Sequence, residues 1–89
     1  MTYVLDKDLK DTLELVGQQV AKAESLWPPM NSAHEAYAVL LEEVDELWDH
    51  VKTNQKRRDL EAMKIECLQV AAMAIRFYRD VCNEKVVRK

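Results

Sequence analysis

Five carboxylates are packed into LLEEVDELWDHV, residues 40–51, and their positions on a helical projection separate two kinds of charge. Each helical residue advances about 100°, so with Leu40 at zero, Val44, Leu47 and Val51 fall within roughly 40° and define an apolar stripe. Glu42, Asp45 and Asp49 fall on the opposite side and read as solvated charge. Glu43 borders the stripe, and Glu46 follows it one turn later. A second pair with the same spacing, Glu66 and Gln69, stands inside the apolar run IECLQVAAMAI, on a side shared with Met73, Arg76 and Asp80. A carboxylate in such surroundings is costly to bury unless it is paired or holds a metal.

If the two segments face each other, Glu43, Glu46, Glu66 and Gln69 converge. Four oxygen ligands suit a hard cation, Mg²⁺ or Mn²⁺, better than zinc. A di-iron centre would want Glu-x-x-His on its helices, and neither His34 nor His50 follows a core-facing Glu by three residues. The competing reading is a buried polar pair that sets helix register, satisfied by Arg76 or Lys64.

The elements that must position these groups are all helical. The chain has 89 residues, one Gly and two Pro, and it is rich in Ala, Leu, Glu and Lys. We read it as a single domain, 1–89. The first helix spans Asp6 to about Leu26, with Leu9, Leu13, Val16, Val20 and Ala23 at helical spacing, and ends at Trp27-Pro28-Pro29 because proline disfavours helix in the residue before it. Ser32-Ala-His-Glu35 fits a capping box that opens a second helix running to about Lys52. The polar link KTNQKRRD leads to a third helix, from about Asp59 to Asn83.

From Ile65 to Ile75 only Glu66 and Gln69 are polar, so the third helix is apolar nearly all round. Two partner helices can hardly cover it. The expectation is therefore an all-α, three-helix chain that completes a four-helix-type bundle by homo-oligomerisation, as a dimer or tetramer.

Cys67 and Cys82, fifteen residues apart on that helix, are separated by roughly 22 Å and cannot form a disulfide within the chain. They read as small buried hydrophobes of a reducing compartment. A net charge of −3 argues against nonspecific nucleic-acid binding. No apolar run is long enough for a membrane span, and the N-terminal MTYVLDKDLKD lacks the order of a signal peptide, so a cytoplasmic protein is expected.

The motif Glu42-Glu43-Val44-Asp45-Glu46, followed by Glu66 twenty residues after Glu46, resembles the MazG-like all-α nucleoside triphosphate pyrophosphohydrolases. That family carries two adjacent glutamates, two residues, a third glutamate, a gap, and then Glu-x-x-Asp. The resemblance extends over about residues 8–83. It implies Mg²⁺-dependent hydrolysis of a nucleoside triphosphate to the monophosphate and pyrophosphate. Glu43, Glu46 and Glu66 would be catalytic and would hold the metal, with Gln69 as a fourth ligand. Gln69 departs from the pattern: its amide can coordinate a cation but brings no charge and cannot act as a base. On this reading Arg76, Lys52 and Arg58 would meet the phosphates and Trp27 would stack the base, with Trp48 a second aromatic. Lys56 and Arg57 are equally well explained as a solvated link. The alternative function is a non-catalytic helical oligomerisation or interaction module built on the same fold.

Overall fold

A computed structural model describes residues 2–53 and 55–83, and among them three α-helices account for most of the chain, with no strand. Helix α1 is Lys7–Leu26, α2 is Ala33–Val51 and α3 is Leu60–Phe77. Each starts where a short polar side chain captures free backbone N–H groups. Asp6 accepts from the Leu9 amide (2.8 Å), Ser32 from Glu35 (3.1 Å), and Asp59 from Glu61 and Ala62 (3.0 and 3.1 Å). The capping box at α2 closes one residue early: the Glu35 carboxylate accepts from the Asn31 amide rather than from that of Ser32. No helix among the described residues is long and apolar enough to cross a membrane.

The link between α2 and α3 includes a 3-10 turn, Gln55–Arg57. Arg58 stabilises this link by donating to the carbonyls of Val51 and Thr53, the acceptors left open at the end of α2. At the far end, the Met30 amide donates to Asp80 (3.0 Å). With both ends tied in this way, α2 and α3 form an antiparallel hairpin. Helix α1 packs on α3 through its second half, where Val16 and Val20 are buried, Gln19 reaches Gln69 and Glu24 reaches Arg79. The small core contains these valines with Met30, Ala36, Ala72 and Met73.

Three expectations need correction. The third helix does not continue as one α-helix to Asn83, because after Phe77 it widens into a π turn, Tyr78–Cys82. This turn places Arg79 against Glu24 and Asp80 against Met30. Cys67 and Cys82 are exposed rather than buried, since none of the described residues covers them. The buried stripes are also shorter than the periodicity promised. Leu9 and Leu13 are 42% and 48% exposed, and Val44 is 41% exposed. Helix α3 is the common partner of α1 and α2, so each of these buries only the strip that meets it.

The chain is open for its size. Its radius of gyration is 14.7 Å, against about 12 Å for a compact domain of this length. Its accessible surface is 7204 Å², where a compact monomer of this mass shows about 5400 Å². All of Lys7–Leu15, the first half of α1, is exposed.

Candidate metal centre and adjoining cleft

The hairpin register sets the acidic site. With α2 and α3 antiparallel and joined by a short link, the middle of α2 lies beside the first turns of α3. One carboxylate oxygen from each of Glu43, Glu46 and Glu66 falls within 4.8 Å of the others. Glu43 and Glu66 are half-buried and Glu46 is exposed, so the group sits at the mouth of the helix interface. No cation is paired with these three among the described residues, and the Oε2 atom of Glu66 is buried with no hydrogen-bond partner.

Like charges this close shift each other's titration. The Glu43 carboxyl is raised above its ordinary value, first by burial and then by the negative field of Glu46 and Glu66. Burial is also the main cause of the rise at Glu66, followed by its contact with Glu46, and the nearby His50 opposes it. These three carboxylates could hold a divalent cation, which as a partner for clustered hard oxygen donors would relieve their mutual repulsion.

A cleft of about 550 Å³ adjoins this group and shares Glu43 with it. It opens between α1 and α2 over a floor from α3. Gln69, Met73 and Arg76 form the floor, Trp27, Pro28 and Met30 close one end, and Glu35, Val39, Glu42 and Glu43 line the α2 side. The volume lies within the range of sites for small organic ligands.

The structure thus brings together Glu43, Glu46 and Glu66, and it places Gln69, Trp27 and Arg76 on the adjoining cleft. Trp27 is 62% exposed and lines the cleft. The Gln69 amide nitrogen donates to Gln19 (2.8 Å), a polar contact that fixes α1 on α3. Arg76 is 4% exposed and does not pair with Glu66: it donates to the Pro28 carbonyl (3.2 Å) and weakly to the Met73 sulfur (3.8 Å). Ten residues separate Arg76 from Glu66, roughly 15 Å along α3, so Arg76 stands at the opposite end of the cleft from the acidic group.

Lys52 pairs with Asp49 (3.1 Å) and Arg58 is engaged with the carbonyls ending α2, and neither lines the cleft. Lys56 and Arg57 lie on the exposed 3-10 turn. Trp48 is exposed and away from the cleft.

Glu42 is exposed, as its place on the projection implies, and Glu35 caps α2, but sequence reasoning did not show that both also line a cleft, nor that Gln19 meets Gln69. Glu35, Val39 and Glu42 fall within roughly 60° of one another on α2, and this second face lines the cleft. The signal was present as Val39 placed between two carboxylates.

No family model, curated protein or solved structure matches this chain.

Proposed function

We propose that the chain is a Mg²⁺-dependent nucleoside triphosphate pyrophosphohydrolase of the MazG-like kind, acting as a homo-oligomer, dimer or tetramer, in the cytoplasm. The observation that carries this reading is the meeting of three carboxylates with the end of a nucleotide-sized cleft through the shared residue Glu43. The cation, with Mn²⁺ as a substitute for Mg²⁺, would neutralise triphosphate charge and polarise the α-phosphorus. Glu43, Glu46 and Glu66 hold it, and Gln69 borders the same end of the cleft.

In the reaction a water oxygen forms a bond to the α-phosphorus as the bond from that phosphorus to the bridging oxygen of pyrophosphate breaks. Glu43 takes the proton from the water. The apolar wall of Val39, Met73 and Trp27 holds the nucleoside away from bulk water.

The test is product analysis. Purified protein with Mg²⁺ and a panel of ribo- and deoxynucleoside triphosphates is assayed for monophosphate and pyrophosphate beside Glu66→Gln. Release that depends on Glu66 supports the proposal. A folded protein that releases nothing from any nucleotide rejects it and favours the second reading, a helical interaction module. That reading is favoured by the bare first half of α1, with Leu9, Leu13 and Leu15 all exposed, and by a surface about 1800 Å² larger than that of a compact monomer. An excess of this size on one chain is about twice the roughly 800 Å² that one partner buries in a standard protein interface. Self-association therefore belongs to both readings, whereas nucleic acid and membrane belong to neither.

A further inference from the structure

The cleft end remote from the acidic group contains an unusual object, a buried arginine without a counter-ion. Among the described residues no carboxylate forms an ion pair with Arg76. Its guanidinium spends one donor on a carbonyl and one on a thioether sulfur, and its Nε–H is buried with no acceptor. Leaving a donor of a charged group unmet inside a protein is costly, and such groups are normally satisfied. Arg76 also lines the cleft, and of its five N–H groups the two not engaged on the terminal nitrogens are the ones an occupant can meet.

We infer that Arg76 is a specificity-determining residue that donates to a ring carbonyl oxygen of the nucleobase, and that it takes no part in holding the phosphates. This rests on the nucleotide reading above and deepens it. Three observations support it. The backbones of Arg76 and Glu66 are roughly 15 Å apart along α3 and the Arg76 guanidinium is held at Pro28, at the far end of the cleft, a separation matched to the length of a nucleoside. The wall between them is apolar and aromatic, made by Met73, Val39 and Trp27, and suits a flat ring. A guanidinium already fixed by Pro28 loses little freedom on making one more bond. The inferred ligands are uracil, thymine, cytosine, guanine and hypoxanthine nucleosides. Adenine carries an amino donor where hypoxanthine has its carbonyl, so at that position it would face the guanidinium donor to donor.

The experiment uses nucleosides without phosphate, in EDTA, so that neither a cation nor turnover contributes. Titrations of the full chain with inosine, uridine and adenosine are followed by the labelled methyl resonances of Met30 and Met73, which line the cleft. The expected result is a preference of about 10- to 100-fold for inosine and uridine over adenosine, the effect of one hydrogen bond to a charged donor. Arg76→Met should abolish that preference while leaving the binding of inorganic tripolyphosphate with Mn²⁺ unchanged. Equal affinity of the unmodified protein for inosine and adenosine overturns the inference and needs no variant, so a failure of Arg76→Met to fold does not protect it. Absence of any nucleoside-induced shift overturns it as well, and so does an Arg76→Met protein that loses tripolyphosphate instead of base discrimination. Each of these results leaves the hydrolase reading to be decided separately by pyrophosphate release.

Discussion

The two ends of the α2–α3 hairpin handle charge in opposite ways. At the end near the π turn, Arg79 pairs with Glu24 (2.9 Å), Asp80 accepts from Met30, and Arg76 reaches Pro28, so the connector after α1 is tied down at successive points. At the middle of the hairpin, Glu43, Glu46 and Glu66 crowd together with no lysine or arginine among the described residues paired to them and only His50 nearby. The Arg79–Glu24 pair lowers its electrostatic cost with the chain's own residues, whereas the carboxylate group leaves that cost standing. A cation from outside would relieve the cluster, and the contrast with the paired end makes it the place to test for one.

The largest expected effect breaks the acidic side of this comparison. Glu43→Gln should lower pyrophosphate release by about 100-fold or more, the loss typical of a missing general base, with the circular dichroism spectrum unchanged. An unaltered rate would remove Glu43 from the chemistry. Next is the response to cations and pH. The raised carboxyls of Glu43 and Glu66 hold more proton in the folded chain than in the unfolded one, so without metal their cost to stability is absent below the ordinary value of 4.5 and grows as pH rises through the raised values. Mg²⁺ or Mn²⁺ should therefore raise the melting temperature by several degrees at pH 7.5 and by much less near pH 5. Equal shifts at both pH values would mean that the cation binds elsewhere.

The paired end is probed by Glu24→Ala, which should cost about 1–2 kcal/mol in urea denaturation because Arg79 loses its partner. Arg76→Met should be close to neutral in the same measurement, since it replaces a buried unpaired charge with an apolar side chain of similar length. A large loss there would show that the Pro28 contact matters more to stability than the unmet donor. The smallest effect concerns α1. A Cβ added at Gly17 meets nothing within 4 Å, so Gly17→Ala should stabilise the helix by about 0.5–1 kcal/mol. Loss of stability instead, accompanied by a change in oligomeric state at sedimentation equilibrium, would locate a second copy against that face.

Much of this was legible in the sequence, for identifiable reasons. Helix starts could be read from Asp6, Ser32 and Asp59, because capping is a local interaction between residues two or three apart. The convergence of Glu43, Glu46 and Glu66 could be anticipated because the link between α2 and α3 is short enough to force a hairpin. What could not be read depends on residues far apart in the chain. The partner of Gln69 is Gln19, fifty positions away, and no local pattern announces that pair. The second face of α2 was hidden for a similar reason, since it exists only because α1 stands back and opens the cleft. The π turn lies at a change of helical pitch that alternation of apolar and polar residues does not encode.

The short link has one more consequence, in the order of events during folding. Contacts between α2 and α3 close small loops, and close loops form early because little chain entropy is lost in making them. The acidic group draws all three of its carboxylates from this hairpin. The cleft also needs Trp27 and Pro28, together with α1, docked through bonds that span about fifty residues. Assembly is thus expected to run in sequence, with the carboxylates gathered first and the enclosing wall added afterwards. A stopped-flow experiment would then show cation sensitivity in a faster phase than the one in which Trp27 reaches its final fluorescence.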